Sequence, residues 1–213
     1  MGGLSKVGLE HIGMDGFASV AEPEEKVLVN GSVVEYMLVV VPEREVLEEI
    51  YKLKADFSAE YCVDAGAVMP NINVAAFYAS EGMEETMIRW MQKIFAMNKS
   101  FVVTLNNFSG FPGHTVYLRV ADPAPFQWLA QELKPLKEFI GSSACPPAKL
   151  VSHPHLSICR KLPEPIYRKA MLDYSQKSFH ASFTVDQLLL LKRTNVFEQA
   201  KPVNIFRLHP AAS

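Results

Sequence analysis

The sequence predicts an α+β fold of two similar lobes related by a pseudo-twofold axis, and three observations predict it. A strand-helix-strand unit occurs twice along the chain, with a small polar motif in its second strand each time. The motif frame Pro70-Asn71-Ile72-Asn73-Val74-Ala75-Ala76-Phe77 is followed roughly eighty residues later by Pro154-His155-Leu156-Ser157-Ile158-Cys159-Arg160. The chain has 213 residues and is 49% hydrophobic, enough to bury one sizeable core. Duplication of this kind places two motif strands facing each other across a cleft.

The elements follow in order. Residues 1–33 have no clean period, and Glu22-Pro23-Glu24-Glu25-Lys26 reads as a loop, so this part is expected to be an N-terminal extension to a domain of residues 34–213. Tyr36 to Val41 is a buried strand stopped by Pro42, and Glu43 to Lys54 has helical spacing with Val46, Leu47 and Ile50 apolar. A strand from Ala67 to Tyr78 comes next. Met83 to Met97 is an amphipathic helix whose Met87, Ile88, Met91, Ile94 and Phe95 share a face, a stripe read as packing.

Phe101 to Asn107 and Thr115 to Val120 are strands, joined by a turn signalled in Ser109-Gly110-Phe111-Pro112-Gly113. Pro125 to Ile140 is a helix with Phe126, Leu129, Leu133, Leu136 and Phe139 inward, and Pro135 is expected to kink or divide it. After a loop over Gly141 to Pro147 come the second motif strand, Lys149 to Cys159, a helix over Pro165 to Phe179, and strands over Ser182 to Arg193 and Pro202 to Leu208.

Composition narrows the function. No apolar run reaches the roughly 18 residues that span a bilayer, so no membrane partner is expected. Cys62, Cys145 and Cys159 form neither an even disulfide framework nor a metal-ligand spacing, which fits a reducing cytoplasm. The formal charge of -2 is uneven. Residues 149–213 carry ten Lys and Arg against four Asp and Glu, and this basic part holds His155. A local positive field favours a phosphate-bearing ligand, whereas the absence of a net basic balance or a clustered Lys/Arg stripe argues against long duplex nucleic acid.

In a regular strand His155 and Ser157 share a face, pairing an imidazole that moves a proton with a hydroxyl that grips a phosphoryl oxygen. Asn71 and Asn73 stand at the matching upstream places. His153 has the same parity as His155, and His114 opens the strand after the glycine turn, so both are candidates for the cleft. Phe77, Phe111 and Tyr117 are candidates to stack a base. Cys159 shares the parity of His155 but reads as a buried strand cysteine, and Arg160 is expected to point away. His11, His180 and His209 have no supporting context.

On these motifs, the element order and the Gly110-Phe111-Pro112 turn, the chain over residues 34–208 resembles the 2H phosphoesterase superfamily, which includes the 2′-5′ RNA ligase-like proteins and cyclic nucleotide phosphodiesterases. The resemblance implies two antiparallel sheets about a central cleft with helices outside, and no metal or cofactor. It also implies hydrolysis of 2′,3′-cyclic or 2′-5′ phosphodiesters of a small nucleotide or RNA terminus by a monomer. Members carry two His-x-Thr/Ser motifs. His155 and Ser157 match the second; Asn71 and Asn73 occupy the first motif's places and match neither of its residues. Asparagine donates hydrogen bonds but transfers no proton, so the alternative is a protein that binds a nucleotide or phosphometabolite without cleaving it.

Overall fold

The computed structural model describes residues 33–66, 68–143, 145–195 and 198–211. The N-terminal extension expected over residues 1–33 and its His11 fall almost wholly outside them. The order is β1 (Val33–Val40), α1 (Arg44–Tyr61), β2 (Ile72–Ser80), α2 (Glu84–Phe95), β3 (Phe101–Phe111), β4 (Thr115–Val120), α3 (Ala124–Glu132), α4 (Lys134–Ser142), β5 (Lys149–Leu150), β6 (His155–Cys159), α5 (Glu164–Tyr174), β7 (His180–Val185), β8 (Gln187–Arg193) and β9 (Lys201–Arg207).

The strands run β7-β3-β4-β6-β2-β1-β8-β9, with β5 paired to β2. Every registered strand pair is antiparallel. The order reads as two halves, β7-β3-β4-β6 and β9-β8-β1-β2, each ending on a motif strand, which is the pseudo-twofold arrangement expected. The halves meet where Ile72 of β2 pairs with Leu156 of β6. The motif strands therefore confront each other as hydrogen-bonded neighbours on one sheet surface.

That surface curls. Only Asp186 separates β7 from β8, yet the two lie six strand positions apart, roughly 29 Å in a flat sheet. One residue spans less than about 4 Å, so the sheet bends until its halves approach. The single strand expected over Ser182 to Arg193 is instead two, β7 and β8, divided at Asp186 and serving opposite halves.

The helices cover the other face. α3 packs on β2, α2 on β9, α1 on β6 and β7, and α5 on β3 and β4. Their apolar stripes meet Tyr36, Leu38, Ile72, Phe77, Leu105, Leu118 and Leu156, all buried, in one core. Met87 and Met91 of α2 are fully buried there, as the packing reading expects. Pro135 divides the third helical segment into α3 and α4, sitting in the first turn of α4 where its missing N–H costs nothing.

The first motif strand, expected from Ala67, starts at Ile72, the helix expected to Phe179 stops at Tyr174, and three further differences have a local physical reason. α1 runs on to Tyr61 because Phe57 and Tyr61 continue its buried stripe. The second motif strand is broken into β5 and β6, since residues 151–154 bend ahead of Pro154. Gly110 is no turn residue: β3 extends through it to Phe111, and a Cβ there would lie 2.7 Å from the Tyr167 hydroxyl and 2.8 Å from the Met171 sulfur. Glycine at position 110 admits α5 to the back of the sheet. Gly113, with φ +82, makes the tight reversal instead.

Candidate active site

Ile72 and Leu156 are both fully buried against the helices, so the residues flanking each turn to the opposite, open face. By that register Asn73 stands beside His155 and Asn71 beside Ser157, cross-strand neighbours with Cβ atoms about 5 Å apart. β4 extends both rows, since Arg119 is registered with His155 and Tyr117 with Ser157. The open face thus carries two rows of three: Arg119, His155, Asn73 and Tyr117, Ser157, Asn71.

Aromatic rings wall the imidazole. Its ring centroid lies 4.9 Å from that of Phe111, edge to face, and 4.9 Å from that of Tyr117, while Phe111 and Tyr117 are 4.7 Å apart. His155 Nδ1 lies 3.5 Å from the His153 carbonyl oxygen, which selects Nδ1 as the donor and leaves Nε2 to accept a proton. Burial holds the His155 pKa below the usual imidazole range; the His153 carbonyl opposes that shift and the nearby Arg160 cation adds to it. The imidazole is therefore neutral at pH 7 and suited to act as a base.

Ser157 Oγ accepts a hydrogen bond from Arg160 Nε at 2.9 Å, leaving the hydroxyl hydrogen to donate. This corrects the expectation that Arg160 points away. The strand ends at Cys159, Lys161 takes the left-handed φ of 56°, and the Arg160 side chain folds back over the open face. Its guanidinium pKa is lowered by burial and then by Arg193, leaving a cation at neutral pH. Asn71 Nδ2 donates to the Met69 carbonyl at 2.9 Å, which sets the amide plane and keeps its oxygen and second N–H for a ligand.

The remaining candidates separate. His114 is exposed at the rim, its Nδ1 2.7 Å from Thr115 Oγ1 and its ring 6.2 Å from Phe111. His153 is exposed in the bend before β6, with Nδ1 3.1 Å from Ser152 Oγ, and it reaches His155 through its carbonyl. Phe77 is excluded as a stacking residue: it is 2% exposed and stacks on Tyr36 in the core, with centroids 5.6 Å apart. The reason is a bulge. Leu38 pairs with Ala75 but Val39 with Asn73, so Val74 is an extra residue and the parity linking Asn73 to Phe77 is broken. A second bulge, with Val116 opposite Cys159 and Tyr117 opposite Ser157, turns Cys159 to the helix side, where burial raises its thiol pKa.

Sequence reasoning misses Arg119 and Arg160 as residues of this face. The parity of Arg119 with Tyr117 is legible in the strand Thr115 to Val120; nothing local announces the fold-back of Arg160.

Against known proteins, residues 42–196 match the family described as the 2′-5′ RNA ligase superfamily. A search of curated sequences finds no significant match. The crystal structure of Escherichia coli LigT complexed with 3′-AMP is similar at a TM-score of 0.62 and 17% identity, covering 83% of this chain and 98% of that one. LigT has also been seen with phosphate, NADP+ and ATP. A structure described as a phosphoesterase gives a TM-score of 0.57 and 17% identity over 83% of this chain and 98% of that one. TT0787 of Thermus thermophilus gives 0.54 and 14% over 84% and 100%. Family match, halved antiparallel sheet and helix-covered back agree, and the chain belongs to the 2′-5′ RNA ligase superfamily, among the 2H phosphoesterases.

Proposed function

We propose that the protein hydrolyses a 2′,3′-cyclic or 2′-5′ phosphodiester of a small nucleotide or RNA terminus, slowly, with one imidazole in place of two. The observation that carries this reading is the neutral His155 set between Phe111 and Tyr117, two residues from a Ser157 hydroxyl already engaged by Arg160. Ser157 and Arg160 hold the non-bridging phosphoryl oxygens and stabilise the charge that grows on them. His155 Nε2 takes a proton from the attacking water as its oxygen bonds to phosphorus. The ribose oxygen leaves with the electron pair of the broken P–O bond and collects its proton from solvent, because Asn71 and Asn73 donate hydrogen bonds to it but release no proton. Absence of a general acid costs about a hundredfold to ten-thousandfold in rate.

The nucleotides and phosphate seen on LigT support a nucleotide-sized ligand for the corresponding face of this chain. The test is turnover of adenosine 2′,3′-cyclic monophosphate by pure protein, followed by separation of the 2′- and 3′-monophosphates. Slow turnover that His155→Ala abolishes supports the reading; no turnover by wild type over a panel of cyclic and 2′-5′ substrates overturns it. A second reading, binding without cleavage, is favoured by Asn71, whose amide is already tied to the Met69 carbonyl. Calorimetry showing tight binding of an intact cyclic nucleotide, with no turnover, selects that reading.

A further inference from the structure

Arg193 is the last residue of β8 and is registered with Glu35 of β1, which is registered in turn with Tyr78 of β2. Tyr36, Leu38 and Val40 of β1 are buried against the helices, so Glu35 lies on the same face as Val39 and its partner Asn73. The row Tyr78, Glu35, Arg193 therefore belongs to the open face of the β9-β8-β1-β2 half.

Arg193 is built like Arg160. Each guanidinium is held through Nε alone among the described residues, Arg193 by the Glu35 carboxylate and Arg160 by the Ser157 hydroxyl. In each the terminal nitrogens, a planar fork suited to phosphate, are left for a ligand. Glu35 is the more buried partner of its pair, with 15% of its side chain exposed against 28% for Arg193. The two arginines come from opposite halves of the curled sheet and repel one another across it. Among the side chains named on this face, three guanidiniums stand against one carboxylate.

We infer that Arg193 receives a second phosphate of the same ligand whose first phosphoryl group lies at Ser157 and Arg160, so that the protein favours a nucleotide phosphorylated on both sides of its ribose. The inference rests on the function proposed above. Spacing chooses two phosphates over one shared by both arginines: Glu35 lies five residues from Val40 along β1, and Ser157 stands one position beyond the Val40–Ile72 pair, placing the two rows roughly 20 Å apart along the strands. The two arginine side chains, reaching inward from either end, cover only part of that gap, and a ligand with phosphates at both ribose ends bridges the remainder.

Calorimetry on the full chain at fixed ionic strength, with adenosine 3′-monophosphate and adenosine 3′,5′-bisphosphate as probes, tests this. The expected result is about tenfold tighter binding of the bisphosphate by wild type. The double variant Glu35→Gln with Arg193→Gln, which leaves no lone charge behind, should bind the two probes within twofold of one another, and Arg193→Lys should keep part of the preference. A tenfold preference that survives in the double variant, or one that disappears because both probes are lost together, overturns the inference. Wild type that binds the monophosphate without preferring the bisphosphate overturns this inference alone; wild type that binds neither removes the proposed function with it.

Discussion

At His155 the chemistry turns on a proton affinity lowered by burial and by the Arg160 cation. A base of this kind loses its catalytic form only when protonated, so turnover should show a single acid limb lying below pH 6.5 and no limb near neutrality on the alkaline side, read from kcat/KM between pH 4.5 and 8. The same shift acts on stability. With the folded pKa lowered, the unfolded chain binds more protons between that value and about 6.5, so stability rises with pH through the window and is lost as pH falls below it. Denaturant titrations at pH 7 and pH 5 should show a smaller difference for His155→Asn than for wild type. Asn71 sets the complementary limit. Asn71→His places a second imidazole beside Ser157 and should raise turnover by about tenfold to a hundredfold while converting the single limb to a bell. An unchanged profile would mean that position 71 does not face the leaving oxygen.

At the scale of elements, the open face owes its contents to where strands bulge and stop. The bulge at Val74 sends Phe77 into the core, and the bulge opposite Val116 does the same to Cys159, while the strand end at Cys159 returns Arg160 to the ligand side. Behind the face, α5 approaches β3 through the space left by Gly110. Gly110→Val should cost about 1–3 kcal/mol by overpacking against Tyr167 and Met171, seen as a lowered denaturant midpoint at unchanged m. Retained stability there would mean that α5 is free to shift.

For the whole molecule, the sheet is a partition with a packed side and a ligand side, and two phenylalanines test it. Phe77→Ala opens a cavity beside Tyr36 and should cost about 3–5 kcal/mol in stability, while nucleotide affinity of the folded protein stays within twofold. Phe111→Ala removes a wall of His155 and should do the reverse, weakening nucleotide binding severalfold with a smaller loss of stability. Equal effects of both substitutions on binding would contradict the division. The one-residue link at Asp186 makes the two halves depend on each other, since it holds the sheet in its curl.

The sequence by itself determined the element order, the duplication, the pairing of His155 with Ser157, and the odd polarity of Asn71 and Asn73, because these rest on periodicity and residue type, which are local. It also marked the helix break at Pro135, where a missing N–H acts at its own position. Only the tertiary structure decided that Phe77 is core, that Arg160 grips Ser157, that β7 and β8 part to opposite halves, and that Arg193 comes within electrostatic reach of Arg160. Each depends on a bulge, a strand end or a curl, and these arise from how one strand registers against another rather than from the residues that carry them.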